Sequence, residues 1–178
     1  LYAHTGDPKW AERLEMVAFN ALPATISDDM WTHQYDQMSN QIACQKFPGK
    51  SLFRTNNSEA HLFGLEPNFG CCTANGHQGW PKFAASLWYA TNDDGLSAVS
   101  YAPCSVRATL GGVPVRLRVS GGYPFAQTVN IEVAVKQPTE FPLYLRVPFW
   151  ARQPMIYLPD GEIMQVRAGE TTCVRLKW

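Results

Sequence analysis

The sequence has no surplus of charge of either sign. Its 15 lysines and arginines balance 15 aspartates and glutamates, so it offers no basic field for nucleic acid and no acidic tail. It also lacks any apolar run near the roughly 20 residues that a bilayer-spanning helix needs, so no membrane partner is expected. The opening Leu1-Tyr2-Ala3-His4-Thr5-Gly6-Asp7 has neither the charged nor the apolar region of a signal peptide, and a cytoplasmic setting is the expectation. There is no initial Met, and Val174-Arg175-Leu176-Lys177-Trp178 stops inside an alternating pattern. Both ends read as cut from a longer protein. Cysteine is present but does not make a framework: there are five, and only Cys71 and Cys72 are close in sequence. Neighbouring cysteines rarely bridge, because the geometry strains the peptide between them. Reduced thiols are expected, not a disulfide scaffold.

What remains is an ordinary globular composition, 46% hydrophobic and 17% charged over 178 residues. That length holds one large domain or two small ones and buries a real core. No internal repeat or low-complexity tract is found.

The first half reads as helices joined by long polar loops. Residues 1–7 look like the end of a helix and a turn. Asp7 suits an N-cap and Pro8 a first helical position. Trp10, Leu14, Val17, Ala18 and Ala21 then fall on one helical stripe, which Pro23 stops. A second helix is expected after the cysteines, capped by Thr73 or Asn75, with Pro81 in its first turns. Trp80, Phe83, Ala84, Leu87 and Trp88 form its apolar face, and Asn92-Asp93-Asp94-Gly95 ends it. Between these helices, residues 27–70 are polar and rich in aromatics and amides. A loop this long is uncommon unless it serves a function, although a plain surface excursion is the alternative. Trp, Tyr, His and Gln are the residue types that stack on sugar rings and bond their hydroxyls.

From Leu96 the pattern changes to period two. Alternation predicts strands over 96–102, 113–120, 128–135, 141–147, 155–158 and 172–178, separated by Gly111-Gly112, Gly121-Gly122, Gln137-Pro138 and Pro159-Asp160-Gly161. Short strands with regular turn signals predict an antiparallel β-sandwich. Arg116, Arg118 and Glu132 read as its solvated face. The expectation is therefore an α+β chain, helical over 1–94 and strand-rich over 95–178.

Chemically the sharpest stretch is Phe69-Gly70-Cys71-Cys72-Thr73-Ala74-Asn75. Two thiols just before a helix meet the positive end of its dipole, which lowers the thiolate pKa and favours nucleophilic or metal-ligating roles. The competing reading is two small buried hydrophobes. A vicinal pair is not a standard structural zinc motif, which spaces its thiols by two to four residues. Any metal here needs further ligands from elsewhere.

The run from Gly64 to Phe83, Gly64-Leu65-Glu66-Pro67-Asn68-Phe69-Gly70-Cys71-Cys72-Thr73-Ala74-Asn75-Gly76-His77-Gln78-Gly79-Trp80-Pro81-Lys82-Phe83, closely resembles glycoside hydrolase family 127, the beta-L-arabinofuranosidases. Thr5 to Glu15, Phe19-Asn20 and Trp31-Thr32-His33-Gln34-Tyr35-Asp36-Gln37 resemble the family's helix and active-site loop. Tyr123-Pro124-Phe125, Leu145-Arg146-Val147-Pro148 and Phe149-Trp150-Ala151 resemble its β domain. The resemblance covers essentially the whole chain. It implies the C-terminal part of a helical (α/α) toroid followed by a β-sandwich, and zinc held by one Glu and three Cys. By position it makes Cys71 both nucleophile and metal ligand, and Cys72 a second ligand. The implied product is a retaining hydrolase acting on a small-molecule or oligosaccharide substrate, of unknown oligomeric state.

The chain departs from the family pattern in what it omits. The other Glu and Cys ligands and the acid/base Glu would lie before Leu1, so the piece alone is expected to be inactive. Glu66 does not match the acid/base and is taken as a candidate sugar contact, together with His33, Gln34, Tyr35 and His77. Cys44, Cys104 and Cys173 match no ligand. Two further readings stay open: a non-catalytic carbohydrate-binding or structural module with zinc-binding thiols, and a relative with a different sugar.

Overall fold

The computed structural model of the chain describes residues 1–37, 41, 44–45, 56, 59–64 and 70–178, with Thr73 described by its backbone alone. Glu66 lies outside the described residues. Helix α1 (Tyr2–Thr5) ends at Gly6, whose φ of 65° is the left-handed cap that glycine adopts freely. Helix α2 (Pro8–Met16) starts where the sequence predicts, and an Asp7 carboxylate oxygen accepts the Lys9 N–H at 3.0 Å as an N-cap should. The chain continues through a π-helical turn (Val17–Ala21) into α3 (Leu22–Ala24). Helices α4 (Gly70–Gly76) and α5 (Gly79–Ala85) follow the loop. Among the described residues no helix is long and apolar enough to cross a membrane.

Nine strands follow: β1 (Trp88–Ala90), β2 (Leu96–Ala98), β3 (Cys104–Leu110), β4 (Val113–Gly121), β5 (Val129–Val135), β6 (Glu140–Arg146), β7 (Met155–Tyr157), β8 (Ile163–Gln165) and β9 (Thr171–Lys177). They form sheets of order β1-β2-β6-β9, β3-β4-β5 and β7-β8. The chain thus mixes helices with mostly antiparallel sheets. Alternation places Val113, Val115, Leu117 and Val119 of β4 inward and Pro114, Arg116 and Arg118 outward. Strand β6 is buried almost throughout and lies between two partners, parallel to β2 (Leu96↔Leu143) and antiparallel to β9 (Leu143↔Val174). That parallel pair departs from the purely antiparallel arrangement predicted. It is close-fitting: a side chain at Gly95 would meet the Pro142 carbonyl oxygen at 2.6 Å.

Three predicted elements need correction, the first being the helix expected to stop at Pro23, which runs on to Ala24. Trp88 opens a strand instead of closing a helix, because Trp88↔Ala98 and Ala90↔Leu96 pair across a hairpin. Strands β3 and β8 were not foreseen. The predicted strand over 96–102 ends at Ala98.

The chain divides into two compact units, Leu1–Glu15 with Ala85–Trp178, and Met16–Ala84. This division does not follow the change of sequence pattern at Gly95, and the reason lies in α2. Its buried positions are Ala11 and Glu15, at 0% and 5% exposure, while Leu14 of the apolar stripe is 38% exposed. Trp10 is flanked by the cations Lys9 and Arg13, 5.3 and 5.0 Å from its ring. The helix is drawn in by charge, not by its apolar stripe.

Arg146, 1% exposed at the end of β6, receives it. Its Nη1 and Nη2 donate to Glu12 and Glu15, each at 2.6 Å, and its Nε to the Val99 carbonyl at 2.7 Å. The Tyr123 hydroxyl donates to Glu15 and accepts from Arg146. Ser100 donates to Glu15 at 2.6 Å, and Tyr101 to the Arg146 carbonyl at 2.6 Å. Burial works against the Arg146 charge, but Glu15, Tyr123 and Glu12 outweigh it and raise its pKa. Burial, then Glu15, pushes Tyr123 up. For Glu12 burial prevails over the attraction of Arg146, and its carboxyl is raised from 4.5.

Removing one member of such a buried set leaves the others charged and unpaired, so Arg146→Ala should cost about 3–5 kcal/mol in urea unfolding. A triple Glu12→Gln, Glu15→Gln, Arg146→Met variant should recover most of that loss. A cost for Arg146→Ala under about 1 kcal/mol would show that the cluster does not hold the helix.

Because Glu12 binds its proton more tightly folded than unfolded, its contribution is fully present at low pH. It is lost as pH rises from the ordinary carboxylate value through its raised folded one. Glu12→Gln should remove that slope from a plot of stability against pH, and an unchanged slope would contradict the assignment.

Candidate functional site

The thiols sit in the unit Met16–Ala84. Helix α4 begins at Gly70, so Cys71 and Cys72 occupy its first turn and do not precede it as expected. Asn75 donates from its side chain to the Cys71 carbonyl at 2.6 Å, inside the helix and not at its start, which sets aside its predicted role as a cap. Cys71 is exposed and Cys72 half-buried, with their sulfurs 3.9 Å apart. All five cysteines are free.

The Cys72 thiol is pushed above its ordinary value, by burial first, then by Cys71 and by the negative charge of Asp36. That direction is opposite to the one expected from a helix start. A seven-residue helix has a small dipole, and the adjacent thiol and carboxylate act against a second negative charge.

Asp36 was not singled out from the sequence. Its carboxylate accepts from the Asn56 side chain at 2.6 Å, and it makes the electrostatic contact with Cys72. The only sequence signal for it was its place in the run Trp31–Gln37.

The predicted sugar-contacting residues divide into two sets. Gln34 is buried and its amide nitrogen is used within the loop, 2.6 Å from the His61 carbonyl and 3.6 Å from the Cys44 sulfur. Cys44 itself donates to the His61 carbonyl at 3.3 Å, which fits a structural thiol. His61 is fully buried, its ring nitrogen bonded to the Gln45 carbonyl. It organises this loop, yet a single histidine in an aperiodic stretch gave no signal. His33 is half-buried and forms backbone bridges to Ile26 and Gly64. Tyr35 is 36% exposed and hangs from the Ala60 carbonyl by its backbone N–H at 3.2 Å. His77 is exposed, in the turn between α4 and α5. A side chain at Gly79 would meet Leu22 at 2.8 Å, so α5 starts close against α3.

Can the pair hold a metal? Two sulfurs at about 2.3 Å from a tetrahedral zinc lie about 3.8 Å apart, and the observed 3.9 Å matches that without rearrangement. The pair therefore fits as half of a ligand set. Among the described residues no group of three His, Cys, Asp or Glu completes one.

An open trough of about 1030 Å³ lies in the same unit, lined in part by Phe19, Asn20, Asp28, Asp29 and Phe63 and not by the thiols.

With the thiol raised, Cys72 in metal-free protein should react slowly with iodoacetamide at neutral pH. Its rate should still be climbing beyond the ordinary thiol range of about 8.5. A rate that levels off near neutrality would place a low-pKa thiolate there instead.

Comparison with known proteins bears on the whole chain. Residues 95–178 match the model described as the beta-L-arabinofuranosidase, glycoside hydrolase family 127, middle domain. The fold is similar to a family 127 beta-L-arabinofuranosidase from Geobacillus stearothermophilus, with a TM-score of 0.79 at 19% identity over 99% of this chain and 27% of that one. A second structure, described as a family 127 beta-arabinofuranosidase, gives a TM-score of 0.76 at 16% identity, over 100% of this chain and 28% of that one. A third, described only as a glycoside hydrolase, gives 0.74 at 17% identity, over 98% and 28%. This chain therefore spans little more than a quarter of the length of each. No curated protein matches it.

Proposed function

We propose that this chain, whose residues 95–178 match the middle-domain model of the beta-L-arabinofuranosidase family 127, is part of a retaining glycoside hydrolase of that family whose nucleophile is Cys71. The observation that carries the reading is the exposed Cys71 sulfur 3.9 Å from Cys72, within the run that most resembles the family. We assign residues 1–94 to the closing part of its helical toroid and residues 95–178 to the β-sandwich that follows.

The chemistry splits one displacement into two. The Cys71 thiolate attacks the anomeric carbon of a beta-L-arabinofuranoside. The bond from that carbon to the departing oxygen breaks as the carbon–sulfur bond forms. The oxygen takes a proton from an acid contributed outside the described residues. Water then adds from the face the leaving group vacated, returning a proton to the group that served as the acid, as the carbon–sulfur bond breaks and the thiolate returns. Two inversions give net retention. Zinc, when bound, keeps a thiol deprotonated near neutral pH and fixes its direction. Cys71 and Cys72 would each supply one sulfur to it, and the raised demand of Cys72 for its proton is what such a cation would offset. Contacts to sugar hydroxyls fall to His33, Tyr35 and His77, with Glu66 a further candidate. Gln34 stays a candidate through its amide oxygen, its nitrogen being engaged by the His61 carbonyl.

In the full-length enzyme, Cys71→Ser should abolish turnover of an arabinofuranoside with an unchanged circular-dichroism spectrum, because a hydroxyl is a far poorer nucleophile near neutral pH. Metal analysis should find zinc in the wild type and markedly less in Cys72→Ser. A Cys71→Ser enzyme keeping most of its rate would overturn the thiolate mechanism and leave a metal-activated water as the nucleophile.

The 178-residue chain alone should show negligible hydrolysis, since general acid catalysis commonly contributes about 10²–10⁴-fold and half a ligand set binds metal weakly. Robust turnover by the purified piece would overturn the assignment of the acid to another part of the protein.

A further inference from the structure

The three-stranded sheet β3-β4-β5 carries a charge pattern that its own stability does not explain. Arg107 of β3 stands directly opposite Arg116 of β4, a like-charge pair that sheets disfavour. Lys136 follows immediately after β5 on the adjoining strand. Arg118 stands opposite an unlike charge, Glu132, in the register, although the two form no ion pair. Arg107, Arg116 and Lys136 are all exposed, and among the described residues none forms an ion pair. They line an open trough of about 580 Å³, whose walls include Thr109, Pro114 and Ala134. In a chain of zero net charge, this is a local concentration of three uncompensated cations across three adjacent strands, about 10 Å wide.

We propose that this trough binds an acidic glycan, a sugar chain bearing carboxylates, at a site separate from the thiols. The ligand class follows from the groups present. Guanidinium forks pair bidentately with planar carboxylates, while a lysine supplies a point charge. Thr109 offers a hydroxyl, and Pro114 and Ala134 add apolar surface beside the cations. Nucleic acid is the less suited occupant, because the trough presents no aromatic ring for a base to stack on and no extended basic stripe. The choice of a glycan rests on the glycoside hydrolase reading, for which such a trough would hold an acidic chain near the enzyme.

The test uses the full-length protein and polygalacturonate as probe, with neutral dextran, polyglutamate and single-stranded DNA as controls, in calorimetry at low and high salt. Polygalacturonate should bind, weaken with salt as exposed charges are screened, and lose at least tenfold in affinity in an Arg107→Gln, Arg116→Gln, Lys136→Gln variant that keeps its melting temperature. Dextran should not bind. No binding of polygalacturonate, undiminished binding by the variant, or equal binding of polyglutamate or DNA would each overturn the proposal. The two readings fail separately. The trough variant should hydrolyse a small neutral arabinofuranoside at the wild-type rate, and Cys71→Ser should bind polygalacturonate as the wild type does.

Discussion

Everything in the unit formed by Leu1–Glu15 and Ala85–Trp178 is arranged around one buried cation. Arg146 ends the central strand of its sheet and is almost wholly withdrawn from water. Its charge is tolerable there only because Glu12 and Glu15 come from α2 to meet it, and because Val99, Tyr123, Ser100 and Tyr101 add hydrogen bonds around them, leaving Glu12 Oε1 as the one carboxylate oxygen of the cluster that is buried without a partner. The same contact fixes how the helix is rotated. An apolar stripe alone would have turned Trp10 and Leu14 inward; two ion pairs at 2.6 Å turn Ala11 and Glu15 inward instead. Desolvating a charge is so expensive that a satisfied partner decides geometry more sharply than a few apolar contacts.

This explains which parts of the fold the sequence made legible. Strands β4, β5, β6, β7 and β9 could be located to within a residue or so, since each alternates clearly and is bounded by Gly, Pro or Asp. The start of α2 was equally clear from Asp7 and Pro8. Strand β3 alternates too, but its inward residues include Cys104, Ala108 and only two strong apolar markers, and it follows Pro103. Strand β1 was hidden because Leu87 and Trp88 continue a helical spacing from Phe83 and Ala84. The pairing Trp88↔Ala98 that overrides it depends on residues ten positions on. The rotation of α2 was out of reach for the same reason on a larger scale: its partner is 131 residues away.

The candidate site divides the same way. The vicinal thiols and the aromatic loop stand out by residue type. Gln34 stands out by type as well, although its amide serves the loop. Asp36 and His61, which act on or organise their surroundings, carry no local pattern and become visible only once the chain is folded. The trough on β3-β4-β5 is an intermediate case. Arg116 and Arg118 were legible as outward-facing, but alternation cannot say which charge faces which. Only the register separates the unlike pair Arg118↔Glu132 from the like pair Arg107↔Arg116.

The central position of β6 has a consequence for the order in which this unit assembles. Its neighbours are β2, earlier in the chain, and β9, some thirty residues later, and the carboxylates that neutralise Arg146 belong to a helix made long before it. None of these pairings is local, and closing long loops before any contact rewards them is what slows folding. As the chain emerges from the ribosome, α2 must keep Glu12 and Glu15 in water until Arg146 arrives, and the sheet cannot close on its second side until Thr171–Lys177 has been made. The unit is therefore one whose first and last segments become native together.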